Sequence, residues 1–185
     1  IEEIGELALE HDLLFHVDAC VGGIQLSIMR DMPEYEVPPF DFTVPGVTQI
    51  SSDWHKYGSS SKGASTVLYK TPELRRHQIF ASSKSTTYAL VNTTILSTRS
   101  GGPMAGVWAT VHHLGREGYE RIARDTMDAT YKLCDAINAT GDLYVLGKPE
   151  FCMFSFASDT INVFELQDEI VKRGWYVQPQ LSTDS

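Results

Sequence analysis

The feature that most constrains this chain is a short apolar run that follows a helical pattern and ends in an acid. Residues 1–11 place apolar side chains at helical spacing, and the run LLFHVDA at 13–19 has the composition of a buried strand. The pair Gly22-Gly23 breaks the chain soon afterwards. A helix that leads into a buried strand is half of an α/β repeat, so the sequence predicts an α/β fold.

Further strands and helices are predicted along the chain. Strands at 47–52 and 64–70 enclose a polar loop at 53–63, after a helix that begins at Gly23 and a proline-rich loop. From Gly102 the pattern changes to two long helical segments. The remaining elements are predicted as follows: helices at 103–115, 118–139 and 163–173, and strands at 143–146, 151–157 and 175–181.

These elements predict two domains. We expect residues 1–115 to be part of a large domain and residues 116–140 to form a connecting helix. Residues 141–185 are expected to be part of a smaller α+β C-terminal domain. The chain starts with Ile1 rather than Met and stops just after a predicted strand, so we expect both ends to be cuts through a longer protein.

Composition excludes several classes of partner. The net charge is −9 and no basic run is present, which argues against nucleic acid as a partner. No apolar run approaches the roughly 20 residues of a membrane span, so no membrane contact is expected from this segment. Three separated cysteines without a CxxC pair indicate reduced thiols and a cytoplasmic location.

Asp18 is the first candidate site residue. It ends a predicted buried strand directly before a glycine-rich turn. Ligands of open α/β sheets bind at the carboxyl ends of the strands, where this carboxylate would lie. The alternative is that Asp18 caps a helix or is an ordinary loop acid.

Lys56, in the sequence DWHKYG at 53–58, is the second candidate. A lysine between an aromatic residue and a histidine after a buried strand can be desolvated, which lowers its pKa and makes it a nucleophile toward an aldehyde. Taken alone, the same residue is more often an ordinary surface lysine.

Two small polar segments are candidate anion sites. SSSKG at 59–63 offers hydroxyls and a cation, and STRSGG at 97–102 precedes a helix, whose N-terminus can hold a phosphate. A solvated turn is the alternative for both.

His16 lies beside Asp18 on the same strand and is either a core residue or a cofactor contact, whereas His112 and His113 fit a structural role in a helix. HExxH and Cys/His ligand spacing are absent, so no metal site is expected.

Several segments, taken together in their order and spacing, resemble a known family. They are HVDAC at 16–20, SSDWHKYG at 51–58, the lysine and glycine of SSSKG, TRSGG, and the later GKPEF and KRGW segments. The chain is similar to the fold-type I pyridoxal-phosphate enzymes of the group II decarboxylase superfamily, and more closely to the sphingosine-1-phosphate lyase family. The resemblance implies a large domain with a mainly parallel sheet and flanking helices, and pyridoxal 5′-phosphate as the cofactor.

The resemblance also implies roles for matching residues. Lys56 would hold the cofactor as a Schiff base, and Asp18 would pair with the pyridine nitrogen and make the ring a better electron sink. Ala19 would contact the ring, and His55 would lie near the cofactor phosphate.

Further roles concern the phosphate groups and the dimer. Gly101 and Gly102 would approach the cofactor phosphate of the neighbouring subunit, since members are homodimers with shared active sites. Lys62, six residues after Lys56, would hold the substrate phosphate, and this lysine distinguishes the lyases from the amino-acid decarboxylases. The chain departs from the family pattern at 80–99, where Tyr88 is the counterpart expected for a tyrosine near the cofactor.

Three functions follow as hypotheses. The first is a carbon–carbon lyase that cleaves a phosphorylated long-chain 2-amino-3-hydroxy base to a long-chain aldehyde and phosphoethanolamine by a retro-aldol step. The second is an amino-acid decarboxylase that uses the same Lys56 and Asp18. The third is a non-catalytic fragment that serves as a dimerisation unit. A location on the cytosolic face of a membrane would follow if a preceding segment carried an anchor.

Overall fold

The structure is a computed structural model and describes residues 1–84 and 87–181. The elements up to β5 are α1 (Glu2–Glu10), β1 (Phe15–Asp18), α2 (Gly23–Met29), β2 (Val47–Asp53), β3 (Ser65–Tyr69), α3 (Pro72–Arg76), β4 (Phe80–Ser82) and β5 (Leu90–Asn92). They are followed by α4 (Gly102–Asn138), β6 (Tyr144–Leu146), β7 (Ser155–Ala157) and α5 (Val163–Lys172). The chain divides into one compact unit at Ile1–Ala123 and a second that begins at Arg124. The predicted domain bounds near residues 115 and 140 stay predictions.

A three-stranded sheet in the order β1-β2-β3 organises the first unit. β1 runs parallel to β2, with Asp18 opposite Ser51, and β2 runs antiparallel to β3, with Asp53 opposite Ser65. α2 follows β1 directly and lies against β2, with the predicted α/β alternation. The α/β fold class is therefore confirmed, and the strands described here form a mixed sheet.

The two faces of this sheet differ in chemistry because side chains alternate along a strand. In β1, Val17 is buried while His16 and Asp18 are exposed. The buried side of the sheet contributes to a cluster made of Val17, Ala19, Phe40, Val44, Val47 and Ile50. The opposite side carries polar residues, so the apolar core fixes which side of the sheet is available to a ligand.

A close backbone approach positions α1 against the segment that enters β2. Gly46 has a φ of +90°, and a Cβ added there would lie 2.2 Å from the carbonyl oxygen of Gly5. A Cβ added to Gly5 would in turn lie 2.3 Å from the carbonyl oxygen of Pro45. Both positions therefore require glycine, since a side chain at either one would separate the helix from the loop.

A charged turn stabilises the loop between α2 and β2. Arg30 donates to Asp41 over 2.7 Å, and the N–H and hydroxyl of Thr43 donate to the other oxygen of the same carboxylate over 2.9 and 2.7 Å. Partial burial acts to raise the pKa of Asp41, but the hydrogen bonds from Thr43 and Arg30 prevail and lower it to about 2.

This lowered pKa predicts how Asp41→Asn changes stability with pH. Because the folded pKa lies below the unfolded one, the contribution is present above pH 4 and is lost as the pH falls toward about 2. We expect the substitution to lower the free energy of unfolding by about 1–2 kcal/mol at pH 7 and by roughly half as much at pH 3. Urea unfolding at both pH values measures this. Glu6→Gln, on the exposed side of α1, is the control, and an equal loss for Asp41→Asn at both pH values would contradict the prediction.

α4 consists of two helical segments that meet at Gly115, whose φ of 58° and ψ of −173° are not helical. The sequence predicted helices at 103–115 and 118–139, and the interruption between them is confirmed. In the second unit β6 and β7 form an antiparallel hairpin, and the Val145 N–H donates to the side chain of Asn138 over 2.8 Å.

The strand predicted at 175–181 is wrong. Trp175 and Tyr176 are 75% and 74% exposed, and no strand of the described residues pairs with this segment. An extended segment becomes a strand only where a neighbour supplies the ladder of hydrogen bonds, and an apolar pattern carries no information about that neighbour.

Across the described ranges, no helix has both the length and the apolar character that crossing a bilayer requires. Among the described residues, Cys20, Cys134 and Cys152 form no disulfide bond.

Candidate active site

Polar side chains of β1 and β2 share one side of the sheet, which we call the polar face: His16, Asp18, Gln49, Ser51 and Asp53. The alternation of the strands places them there, since the intervening residues Val17, Ile50 and Ser52 are buried. At the end of this face lies the turn that carries Lys56. The sheet therefore brings the predicted carboxylate and the predicted lysine to the same edge.

The turn after β2 is held by side chains from two helices. Gln25 of α2, which is fully buried, donates to the carbonyl of Tyr57 over 3.2 Å. Tyr119 of α4, which is 4% exposed, donates its hydroxyl to the carbonyl of Gly58 over 2.9 Å. Burial raises the pKa of Tyr119, so the phenol remains a donor. These bonds fix the backbone on the C-terminal side of Lys56.

Lys56 is half-exposed and pairs with two groups. Its Nζ lies 3.0 Å from Oδ2 of Asp53, and it also donates to the sulfur of Cys20. The Cys20 thiol in turn donates to Asp18. Cys20 therefore links the lysine and the carboxylate that the sequence predicted to work together.

The expected desolvation of Lys56 is not found. Its side chain is 37% exposed, and its pKa is raised above its usual range by the hydrogen bond with Cys20 and the ion pair with Asp53. Burial acts in the opposite direction but is the weaker effect. Cys20 and the carboxylate of Asp53, three residues earlier in the chain, together outweigh burial and raise the pKa of Lys56.

Asp18 is held as an anion. Its pKa is lowered mainly by hydrogen bonds from the thiol and the N–H of Cys20, the latter over 3.0 Å, and by a third from Ser51 over 3.1 Å. The positive charge of Lys56 adds to this effect, against a smaller contribution from burial. Asp18 is thus neither a helix cap nor an isolated loop acid, and it can offer a negative charge to a protonated ring nitrogen.

His16 belongs to the polar face rather than to the core. Its Nε2 lies 3.1 Å from the hydroxyl of Ser51, and its Nδ1 lies 3.3 Å from the side-chain oxygen of Gln49. Because the Ser51 hydroxyl donates its proton to Asp18, its oxygen is left to accept a hydrogen bond from Nε2 of His16. His16, Ser51 and Asp18 therefore form a hydrogen-bonded series along the strand ends.

His55 faces Asp53 and the start of β3. Its Nδ1 donates to the carbonyl of Ala64 over 3.0 Å, and its Nε2 lies 3.7 Å from Oδ2 of Asp53. The ring is thereby fixed on the side of the turn that faces β3.

The two predicted anion segments lie together. A Cβ added to Gly63 would lie 3.4 Å from Pro103, and one added to Gly106 would lie 2.9 Å from the hydroxyl of Ser61. The loop of 59–63 therefore packs against the first turns of α4. Lys62 in this loop is exposed, and within 1–84 and 87–181 it has no hydrogen-bonding partner.

Gly101 and Gly102 lie at the start of α4 and are exposed, and a Cβ on Gly101 would have no described atom within 4 Å. Tyr88, between β4 and β5, is 66% exposed. No contact of Tyr88 with Lys56 or Asp18 occurs among the described residues, so its role stays a prediction. Ala19 is buried beside Asp18, and its N–H donates to the carbonyl of Ser51 over 2.9 Å.

Substituting Gly58 should loosen this turn. A Cβ on Gly58 would lie 2.7 Å from both Cα and the carbonyl oxygen of Trp54, which are backbone atoms that cannot yield easily. We expect Gly58→Ala to reduce the free energy of unfolding by about 1–3 kcal/mol. Gly101→Ala, with open space around it, should change it by less than about 0.5 kcal/mol. Thermal unfolding of both variants measures the difference, and equal stability would contradict the close approach.

Several residues of the site were missed at the sequence level. Ser51 and Asp53 alternate on β2 with buried residues, and Asp53 precedes Lys56 by three positions, so their spacing was a usable signal. No pattern in the sequence indicated a role for Gln25 and Tyr119. Their partners are backbone carbonyls that lie 32 and 61 residues away in the chain.

Comparison with known proteins identifies the family. Residues 1–158 match the family model described as the pyridoxal-dependent decarboxylase conserved domain. The chain belongs to this family. It is 42% identical over 177 residues to the sphingosine-1-phosphate lyase of Arabidopsis thaliana, an alignment that covers 96% of this chain and 32% of the relative. With the lyase of Saccharomyces cerevisiae it shares 36% identity, over 95% of this chain and 30% of that protein.

Solved structures agree with this placement. The sphingosine-1-phosphate lyase Bpss2021 of Burkholderia pseudomallei superposes with a TM-score of 0.87 at 36% identity, covering 95% of this chain and 40% of that one. Tryptophan decarboxylase of Catharanthus roseus has a TM-score of 0.75 at 17% identity, over 98% of this chain and 39% of its own, and supports the fold alone. The chain thus spans about a third of the length of the curated relatives it matches.

The family is pyridoxal-dependent, which confirms the expected cofactor, pyridoxal 5′-phosphate. The residues present suit this group, because an ionised carboxylate, Asp18, and a primary amine, Lys56, both contact Cys20 at one edge of the sheet. Of the residues the structure describes, none form a cluster of His, Cys, Asp and Glu suited to a metal ion.

Proposed function

We propose that the protein containing this chain is a carbon–carbon lyase that cleaves a phosphorylated long-chain 2-amino-3-hydroxy base to a long-chain aldehyde and phosphoethanolamine. The observation that carries the proposal is the cluster of Lys56, Cys20 and Asp18 at the carboxyl ends of two parallel strands. Identities of 42% and 36% with proteins named sphingosine-1-phosphate lyase support the choice of substrate.

Each residue of this cluster has a distinct task. Lys56 would hold the cofactor through its amine, and its nitrogen would be replaced there by the substrate amine. Asp18, kept ionised by Cys20 and Ser51, holds a proton on the ring nitrogen. When bound, the cofactor accepts the electron pair left at the substrate's C2 atom when the bond to C3 breaks.

A cation near the site supports a phosphorylated substrate. Lys62 lies between Ser61 and Gly63 in the loop that packs against the first turns of α4, and its side chain is exposed. An ammonium without an internal partner can bind a dianion without first breaking an ion pair. We assign the substrate phosphate to Lys62, and the cofactor phosphate to His55 with Gly101 and Gly102 of the partner subunit.

A homodimer with shared active sites is part of this proposal. The start of α4 is exposed around Gly101, which leaves room for a group from a second copy of the chain. We also propose that the active site lies on the cytosolic side of the cell, in keeping with three cysteines that form no disulfide among the described residues.

The test is a product assay on the full-length protein reconstituted with pyridoxal phosphate. Sphinganine-1-phosphate and a panel of aromatic and acidic amino acids are offered, and aldehyde and CO2 are both measured. Aldehyde with phosphoethanolamine is the expected result. CO2 from an amino acid would instead establish a decarboxylase, the second candidate, in keeping with the description of the matching family model. A protein that binds the cofactor but releases neither product would support a non-catalytic role.

Lys62→Ala tests whether Lys62 binds the substrate phosphate, as distinct from a general loss of activity. We expect KM for sphinganine-1-phosphate to rise by roughly tenfold to a hundredfold, because a charge-assisted hydrogen bond contributes about 1.5–3 kcal/mol. KM for an unphosphorylated amino alcohol should change little. Lys70→Ala removes another exposed lysine, at the end of β3, and is the matched control. Equal losses on both substrates would overturn the assignment.

A further inference from the structure

We propose that Asp53 is a positioning residue that receives the head group of Lys56 whenever that lysine is not bonded to the cofactor. The proposal rests on the proposed function, since it assumes that Lys56 carries the cofactor. It adds a residue to which the family comparison assigned no role.

The contact is direct, and its acceptor is more buried than its donor. Oδ2 of Asp53 lies 3.0 Å from Nζ of Lys56, and the two side chains are 15% and 37% exposed. An exposed lysine usually gains little from an ion pair, because both partners are mobile and solvated. Here one partner is already held in place, so less order is lost when the pair forms.

The sheet fixes Asp53 itself. It is the last residue of β2 and stands opposite Ser65 of β3, whose hydroxyl donates to Oδ1 over 2.5 Å. His55 approaches Oδ2 from the turn at 3.7 Å. One carboxylate oxygen is therefore occupied by a strand neighbour, and the other faces Lys56.

The chemistry of the proposed reaction requires such an acceptor. If a substrate ammonium replaced Lys56 on the cofactor aldehyde, the C=N double bond to Nζ would be exchanged for a C=N double bond to the substrate nitrogen. Two protons pass from the incoming ammonium to Nζ, so Lys56 leaves as a cation and no further reactant is needed. Asp53 stabilises that cation at a defined place, from which the lysine can return.

The groups that face Lys56 act in the same direction. Asp53 from β2 and Cys20 from the turn after β1 both favour the charged lysine, and Asp18 interacts with its charge. Burial acts to raise the pKa of Asp53, but the hydrogen bonds from Ser65 and Lys56 and the charge of Lys56 prevail and lower it, so the carboxylate is kept ionised. Neutralising Asp53 should therefore lower the pKa of Lys56 and enlarge the fraction of free amine at neutral pH.

The experiment measures the reactivity of Lys56 without using the cofactor. The full-length protein is acylated briefly with an amine reagent from pH 6 to 10, and modification of each lysine is followed by mass spectrometry. We expect Asp53→Asn to increase acylation of Lys56 at pH 8 by about tenfold, as for loss of a unit charge about 3 Å away that is screened as in bulk water. Lys62, modified in the same sample, should not change.

Two further measurements make the result decisive. Asp53→Glu keeps the charge and should return the Lys56 profile toward that of the wild type, which a merely structural role would not predict. In the wild-type protein Lys56 should react about tenfold more slowly than Lys62 at pH 8, and this comparison requires no variant. Equal reactivity of these two lysines, or an unchanged profile in Asp53→Asn, would overturn the proposal.

The outcome remains distinct from failure of the proposed function. Borohydride reduction with added pyridoxal phosphate reports separately whether Lys56 forms the covalent bond. A shifted acylation profile without any reducible bond would support the ion pair between Asp53 and Lys56. It would also show that Lys56 does not carry the cofactor, so the pair would have no role in catalysis. A reducible bond with an unshifted profile would keep the cofactor assignment and reject the role of Asp53.

Discussion

Replacing Lys56 by Ala should abolish the covalent cofactor bond and lower turnover of sphinganine-1-phosphate by roughly 10⁴-fold or more. Lys56 lies at the edge of the polar face, where its amine contacts Cys20 and Asp53. Alanine leaves no amine there to condense with an aldehyde. Borohydride reduction followed by mass spectrometry measures the bond, and aldehyde release measures turnover.

The controls for this variant separate chemistry from folding. Lys70→Ala removes an exposed lysine at the end of β3 and should retain both the bond and the activity. Lys56→Arg keeps the charge near Asp53 but supplies no nucleophilic amine, so it should preserve stability and still lack the bond. A reducible bond at any other lysine in Lys56→Ala would show that the assignment is wrong.

Asp18→Asn should lower turnover by about 10²- to 10³-fold while leaving the covalent bond at Lys56 in place. The carboxylate is held ionised by Cys20 and Ser51, and asparagine accepts the same hydrogen bonds without the charge. The ring nitrogen would then lose its anionic partner, and the cofactor would become a weaker electron sink. Steady-state kinetics and borohydride reduction on one preparation measure both effects.

Asp18→Glu and Asp31→Asn test this explanation. Glutamate restores the charge at a slightly different position and should recover part of the turnover. Asp31 pairs with Arg116 at the surface, so neutralising it should leave turnover unchanged. Full activity in Asp18→Asn would mean that the ring nitrogen needs no carboxylate from this chain.

Much of the fold was predictable because it depends on local patterns. The run at 13–19 and the segments at 47–52 and 64–70 alternate with polar loops, and strands formed at Phe15–Asp18, Val47–Asp53 and Ser65–Tyr69. The segment at 175–181 has a similar apolar pattern and formed no strand. The three segments that became strands each have a neighbouring strand to pair with, whereas 175–181 has none among the described residues. The sequence of a segment does not reveal whether such a neighbour is present.

Some residues of the candidate site were likewise predictable from local sequence patterns, and others were not. Asp18 and Lys56 were predicted from their positions after strands and from the motifs around them, and both lie within the residues that match the family model. The roles of Tyr88, Gly101 and Gly102 depend on the cofactor and on a second subunit, neither of which the structure contains. These roles therefore remain predictions.

The sequence by itself determined the α/β class, the family, the cofactor and the two residues expected to work on it. Strand periodicity and short motifs depend only on neighbouring residues. They can therefore be recognised in a chain that spans about a third of the length of its relatives. Only the tertiary structure showed that Cys20 joins Lys56 to Asp18, that Gln25 and Tyr119 hold the turn, and that the pKa of Lys56 is raised. These features arise because pKa values and hydrogen bonds depend on distances between atoms that folding brings together from separate parts of the chain.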